Sequence, residues 1–353
     1  MKILDLFNDL SFKGPNPVYP YIIAEIGVNH EGDMSLAKRL IEEAKEGGAD
    51  AVKFQSYKAE TIAMRHSPAY WDTAKEPTRS QFELFQKYDK FGKEQYAELK
   101  NYCDKTGIEF LSTPFDIEAA DYLNDLMDVY KISSSDITNK PFIEYICGFG
   151  KPVLLSTGAS TLEEVREAVS WVEKYRNPLG LLHCVLNYPT EDKNAHIGMV
   201  AGLKREFPQY VIGYSDHTLP GDMKSLELAV MAGAVLLEKH FTHDKTLPGN
   251  DHYHAMDKED LKMLHRALKK DFELLGTFAV GALESEQPAI ENARRSLVVK
   301  GAIARGSVIQ ENDLTWKRPA SGISPREIGC VLGKRAVVDI PEDTALQWDY
   351  LGD

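Results

Sequence analysis

Eight short apolar runs, rich in β-branched residues, punctuate the first 240 positions: 21–25, 51–54, 109–111, 128–132, 152–155, 179–184, 211–214 and 235–238. Between most of them, apolar residues recur with helical spacing. In 35–45 the stripe is Leu36, Leu40, Ile41 and Ala44, and similar stripes cover 118–127, 141–148, 162–175, 199–207 and 223–232. Runs that are apolar on both faces, separated by amphipathic helices, predict parallel strands with crossover helices, and eight repeats predict a closed (β/α)8 barrel. An open doubly wound sheet is the competing arrangement, but its Gly-x-Gly-x-x-Gly turn is missing after the first run. A last stripe, 258–275, ends at Gly276, a residue suited to cap a helix C-terminus.

Two stretches break the alternation. The polar segment 56–79 is longer than an ordinary strand-to-helix connection and predicts a lid over the barrel mouth. Residues 277–293 carry Gly, Glu and Pro without a period and read as a linker between a barrel of 1–276 and a small domain of 294–353. In that last part short β-rich runs and turns take over, and 303–314 resembles 340–351, which predicts a small pseudo-symmetric β-rich unit.

Composition narrows the classes. A chain of 353 residues with 43% hydrophobic content buries one large core and leaves about 60 to 100 residues for a small module. Its formal charge of −13 argues against nucleic acid or an anionic membrane as partner, so an anionic ligand needs a locally basic site. Cys103, Cys147, Cys184 and Cys330 show no paired spacing, the chain starts Met-Lys-Ile without a long apolar region, and no window is apolar enough to cross a bilayer. The expectation is a reducing cytoplasm.

In such barrels the reacting groups come from the C-terminal strand ends and the loops that follow. Strand one delivers Glu25, Asn29 and His30; strand two, Lys53 and Gln55; strand three, Ser112 and Thr113; strand four, Lys131, Ser133, Ser134, Ser135 and Asp136. Strands five to eight add Ser156 and Thr157, then His183, Asn187 and Tyr188, then Ser215 and His217, then His240. Two lysines and a ring of hydroxyls suit a phosphate or phosphate-plus-carboxylate ligand. Any one Ser or Thr could simply terminate its strand; the whole set is harder to explain that way.

His217 and His240 sit at the ends of neighbouring strands, near enough to share a metal whose other positions are left for water and a substrate oxygen. Exchangeable Mn, Mg or Co fits such a site better than tight structural Zn. His243, His252 and His254 compete for the ligand role. Glu25 would be a mouth carboxylate able to move a proton or orient a water; alternatively it is a salt-bridge partner of Lys53 or Lys131. An amidohydrolase would need a His-x-His pair after strand one, which 25–30 lacks.

Ten short segments then match a known pattern in order: Ala24-Glu-Ile-Gly-Val-Asn-His-Glu-Gly32, Val52-Lys-Phe-Gln55, Ser112-Thr-Pro-Phe115, Tyr130-Lys-Ile132, Ser156-Thr-Gly158, His183-Cys184, Tyr188-Pro-Thr190, Ile212-Gly-Tyr-Ser-Asp-His-Thr218, Glu238-Lys-His-Phe-Thr242 and Pro248-Gly-Asn-Asp251. Together they resemble the bacterial sialic acid synthase family, which condenses phosphoenolpyruvate with an N-acylated hexosamine. The tail, from about Arg294 through Trp316-Lys-Arg-Pro319 to Leu351, is similar to that family's C-terminal antifreeze-like (SAF) domain.

The resemblance implies phosphoenolpyruvate contacts at Lys53, Thr113, Lys131, Ser134, Ser156 and Ser215, metal ligands at His217 and His240, and sugar contacts at Gln55, Asp136, Tyr188 and Asp251. It implies that Glu25 helps water add before phosphate leaves by C–O cleavage. It also implies a homodimer in which the small domain covers the partner's barrel and Arg318 meets the sugar. The leading expectation is N-acetylneuraminate synthesis from N-acetylmannosamine. Two departures bear on the acceptor: Asp136 stands where some members have Glu, and Leu186 where they have Asn, with Asn187 next door. These favour a 2,4-diacetamido hexose leading to legionaminic or pseudaminic acid as the alternative. From other classes, a Schiff-base aldolase could use Lys53 or Lys131 as nucleophile, a heptulosonate- or octulosonate-type synthase would share the barrel but lack the tail, and a non-enzymatic carbohydrate-binding role would predict a degraded mouth.

Overall fold

The computed structural model describes residues 1–71, 73–249 and 251–353. Asp72, inside the expected lid, and Asn250, inside the last matching segment, lie outside the described residues. The chain divides into two compact units, Met1–Gly276 and Thr277–Asp353.

The first unit holds eight strands, β1 (Tyr21–Gly27), β2 (Ala51–Ser56), β3 (Glu109–Pro114), β4 (Tyr130–Ile132), β5 (Val153–Ser156), β6 (Leu179–Cys184), β7 (Val211–Asp216) and β8 (Leu236–His240). They pair in parallel in the order β3-β2-β1-β8-β7-β6-β5-β4. β3 and β4, at the two ends of that order, pack side by side and complete the ring. Sequential neighbours around a ring exclude the open doubly wound sheet, whose order reverses at a switch point.

Local chemistry sets the crossover helices. Asp33 caps Met34–Gly47 by accepting from the Ser35 and Leu36 amides, Leu40, Ile41 and Ala44 face the core, and Gly48 ends the helix at φ 104°. Thr161 and Glu164 form a reciprocal capping box at the start of Leu162–Tyr175. The helical reading missed Lys93–Thr106, the crossover between β2 and β3, because its buried stripe of Tyr96, Leu99 and Cys103 is diluted by charge. The run 128–132 pairs only over Tyr130–Ile132, and the stripe 118–127 is helical only over Ile117–Leu123. Segment 56–79 is partly ordered: a turn of helix, Ala59–Ile62, opens it, Pro68 bridges to Ser80, and it leads into the helix Gln81–Tyr88. Before the barrel, Ile3, Leu6 and Phe7 are buried, and the Ile3 amide donates to Glu109 at the start of β3.

Strand register places the mouth residues. Glu25 is level with Lys53 on β2 and with His240 on β8; Gln55 is level with Thr113; Ser215 is level with Cys184 and Glu238. The β1–β2 register slips between Glu25 and Gly27, where Gly27 takes φ 57°.

The second unit pairs β9 (Ser296–Val299) with β10 (Leu314–Lys317) and β11 (Arg335–Ala336) with β12 (Leu351–Gly352), all antiparallel, over its own core that includes Leu297, Ile309, Leu314, Ile340 and Leu346. The sequence repeat is structural. Ile303 and Ile340 exchange both backbone hydrogen bonds at 2.8 Å, and the bond from the Ile309 amide to Lys334 is mirrored by that from Leu346 to Leu297. Residues 277–293, read as linker, hold the short helix Gln287–Ala293 and cluster with this unit.

Candidate active site

Two cavities meet at the C-terminal end of the barrel. The deeper, of about 50 Å³, is lined by Glu25, Lys53, Thr113, Lys131, Ser134, Ser156, Ser215, His217 and Glu238 among others. The outer, of about 560 Å³, is lined by Asn29, Asp136, Asp251 and a set of aromatic residues. Gln55, Phe115, Ser133, Leu186, Tyr188 and His240 line both.

The floor is a buried array of opposed charges. Lys53 and Glu25 side chains are each 3% exposed, and Lys53 Nζ lies 2.8 Å from Glu25 Oε1, 2.9 Å from Thr113 Oγ1 and 3.9 Å from Glu238 Oε1. Lys131 Nζ and Ser215 Oγ each donate to Glu238 at 3.0 Å. Burial works to raise the Glu238 carboxyl, but the Lys131 and Lys53 ammonium groups hold it at about 2. Burial works to lower Lys53, but Glu238 and Glu25 keep it above its ordinary range. A Schiff-base nucleophile needs the opposite, a depressed lysine, so Lys53 is a poor candidate for that chemistry.

Glu25 therefore does form the salt bridge weighed as its alternative role, with Lys53. Only one oxygen is used: Oε2 is buried without a hydrogen-bond partner, and burial raises the carboxyl above its usual range. Ser156 Oγ is also buried and unpartnered. Ser134 Oγ accepts from the Gly158 amide at 2.9 Å. Unsatisfied polar atoms aimed into a cavity mark where a ligand's groups belong.

The two histidines face one another beside this floor, with ring centroids 5.4 Å apart. Burial lowers His217 to about 4 and His240 well below its usual range, so both imidazoles are neutral at pH 7, as metal ligands must be. His217 Nδ1 donates to the Val185 carbonyl at 2.8 Å, which leaves the lone pair on Nε2. His240 Nδ1 is buried without a hydrogen-bond partner, 3.3 Å from Glu25 Oε2 and 3.7 Å from Asp251 Oδ2. Among the described residues no three His, Cys, Asp or Glu side chains converge as a ligand set. This donor set fits a metal held by two imidazoles with most of its shell open. Of the competing histidines, His254 packs its ring 4.9 Å from His240, and His252 is engaged by Thr242 Oγ1 at 2.8 Å.

Other strand-end residues face elsewhere. His183 Nε2 donates to the Ala195 carbonyl and its ring stacks on Tyr214; Ser112 bonds Ser56; Thr157 bonds the Leu182 carbonyl; His30 stacks on Phe91 at 4.3 Å. Asn187 lines neither cavity. Arg318 is an exposed residue of the second unit. Sequence reasoning passed over Glu238, which anchors both lysines, and the buried pair Lys239–Asp216 at 2.6 Å, whose Asp216 also accepts from Tyr214, Thr218 and Ser225 and so ties the β7 and β8 ends together. The signal for both was a charge inside an apolar strand, which has to be paired. The aromatic side of the outer cavity was also missed.

A closed parallel barrel whose mouth holds lysine–glutamate pairs and a set of hydroxyls under a larger cavity has the form of a barrel-enzyme active site. The comparisons narrow it. Residues 40–279 match the NeuB family and residues 294–351 match the SAF domain. The N,N'-diacetyllegionaminic acid synthase of Legionella pneumophila is 37% identical over 339 residues, covering 94% of each chain. That of Campylobacter jejuni is 40% identical over 333 residues, covering 92% of this chain and 98% of its own. The crystal structure of the N-acetylneuraminic acid (sialic acid) synthetase of Leptospira borgpetersenii, in complex with citrate, superposes with a TM-score of 0.69 at 34% identity, covering 77% of this chain and 90% of that one. The chain belongs to the NeuB family of sialic acid-type synthases, with a C-terminal SAF domain. Among the described residues no helix is long and apolar enough to cross a membrane.

Proposed function

We propose that this protein condenses phosphoenolpyruvate with a 2,4-diacetamido hexose and water, giving a nine-carbon 2-keto acid of the legionaminic type and releasing phosphate by C–O cleavage. The observation that carries the reading is the two-tier mouth of a NeuB-family chain: a floor with two lysines and five Ser or Thr residues for an anion, opening into a cavity of about 560 Å³ for the acceptor. N-Acetylmannosamine was the leading acceptor on sequence grounds. The two relatives named for legionaminic acid favour the diacetamido sugar instead, while the likeness to a sialic acid synthetase keeps N-acetylmannosamine as the second reading.

Lys53 and Lys131 neutralise the carboxylate and phosphate of the donor, and Thr113, Ser134, Ser156 and Ser215 donate to their oxygens. Gln55, Asp136, Tyr188 and Asp251 position the acceptor so that its aldehyde carbon meets the enol carbon. Glu25, through the oxygen that Lys53 does not engage, takes a proton from the water that adds at the former enol position. His217 and His240 would hold a divalent metal, Mn²⁺ or alternatively Mg²⁺ or Co²⁺, which when bound polarises the acceptor carbonyl. No arginine lines either cavity among the described residues; Arg318 from a second copy of the chain is proposed to supply one, making a homodimer the functional unit.

The test is phosphate release by chelator-stripped protein given phosphoenolpyruvate, Mn²⁺ and each acceptor in turn. Metal-dependent release with the diacetamido sugar, at higher kcat/KM than with N-acetylmannosamine, is expected. Preference for N-acetylmannosamine would reinstate the second reading, and no release with either would overturn the synthase assignment.

A further inference from the structure

The lining of the outer cavity comes from two parts of the chain, the strand-end loops and the stretch after β2. Gln55, Ser133, Ser135, Asp136, Asn139 and Asp251 supply polar groups, all from the strand ends and their loops. The stretch between β2 and the helix that precedes β3 contributes a mostly aromatic set, Tyr57, Ile62, Tyr70, Trp71, Phe85 and Tyr88, to the same cavity. The polar members of this second set are turned to other work: Thr61 Oγ1 donates to the Asp116 carboxylate and Gln81 Nε2 to the Pro68 carbonyl.

The wall is built rather than draped. Tyr57 is 5% exposed and meets Phe85 and Phe115 edge-on, with centroids 5.3 Å and 6.0 Å away. The Trp71 indole N–H reaches the carbonyls of Glu76 and Thr78, each at 3.1 Å. Glu76, itself 3% exposed, accepts from the Thr78 amide and from Lys87 Nζ, both at 2.9 Å. Burial pushes the Tyr88 phenol up to about 12, so it stays neutral and can donate.

A neutral aromatic wall with phenol hydroxyls can bury methyl or C–H surface against its rings and donate to a carbonyl oxygen. It matches an acylamido group, which offers a methyl to the rings and a carbonyl oxygen to a phenol. Since the polar set already suits one substituted amide and the ring hydroxyls, we infer that this aromatic wall is the specificity element for a second acylamido group on the acceptor hexose. The inference rests on the synthase reading above and adds the part of the chain that selects the acceptor.

The experiment compares kcat/KM for the diacetamido hexose and for N-acetylmannosamine in the wild type and in Trp71→Ala and Tyr88→Ala, with calorimetric acceptor affinity on the phosphoenolpyruvate-loaded protein alongside. Wild type is expected to prefer the diacetamido sugar by about 10-fold or more, the scale on which an apolar pocket discriminates. Either variant should bring that preference within about 3-fold while the KM for phosphoenolpyruvate holds. Trp71→Phe keeps a ring without the indole tie and should retain most of the preference, which separates wall chemistry from misfolding. Variants that weaken both acceptors equally, or that leave the preference intact, would overturn the inference. If phosphate is released with neither acceptor, the synthase reading fails, and the wall then stands or falls on whether the calorimetric preference exists and is lost in the variants.

Discussion

At the scale of single residues, two buried side chains, each with one polar atom that lacks a partner, make opposite demands. Ser156 Oγ has no hydrogen bond in a site built for an anion. Ser156→Ala removes an unsatisfied hydroxyl, so thermal stability should hold or rise, whereas the KM for phosphoenolpyruvate should rise by about 5- to 10-fold for one lost hydrogen bond. A fall in Tm with an unchanged KM would make the hydroxyl structural. His30 is a different case. It is buried against Phe91, its Nδ1 accepts from the Gly32 amide, and burial lowers it from 6.5 to about 4. The unfolded chain therefore takes up this proton first, and His30 contributes stability above about pH 6.5 that is lost as the pH falls toward 4, at most about 3 kcal/mol. Chemical denaturation at pH 7 and pH 4.5 should show a shallower loss in His30→Gln than in the wild type.

At the scale of elements, the bulge in β1 sets the carboxylate. A Cβ on Gly27 would come within 2.6 Å of Glu25 Oε2, and the residue's φ of 57° suits glycine. Gly27→Ala should displace the carboxylate and cost about 100-fold or more in kcat, the range of a misplaced acid or base, against a backbone penalty of about 1 kcal/mol. Comparable activity in this variant would show that Glu25 needs no fixed position. The element that sequence reading handled least well lies between β2 and β3. Its polar composition reads as a loop, yet Glu76, Thr78, Lys87 and Trp71 bond one another and hold an aromatic face toward the cavity. Bonded partners in this set are up to 11 positions apart, beyond any local periodicity.

At the scale of the whole molecule, the homodimer proposal gives Arg318 a role in the barrel of a second copy. Arg318→Ala is expected to raise the acceptor KM by about 10-fold or more, as for a charge-assisted hydrogen bond, and to leave that for phosphoenolpyruvate within about 2-fold. Mixing Arg318→Ala with an inactive Lys53→Ala protein should restore part of the activity through hybrid dimers. Parallel losses for both substrates, or no rescue on mixing, would refute the exchange of arginines.

How much was legible follows from range. The eight β-branched runs, the stripes between them and the 303–314 to 340–351 repeat were determined by the sequence alone, because strand and helix periods and a duplicated unit are written in neighbouring positions. So was the roster of strand-end residues, since a barrel exposes its C-terminal ends. Tertiary structure decided which of them point inward. Ser112, Thr157, His30 and His183 bond or stack away from the mouth, Glu238 joins both lysines, and Glu25 is both ion-paired and half free. Side-chain direction at a strand end depends on register with the neighbouring strand and on where a partner for a buried charge lies in space, and neither is encoded in the spacing along one chain.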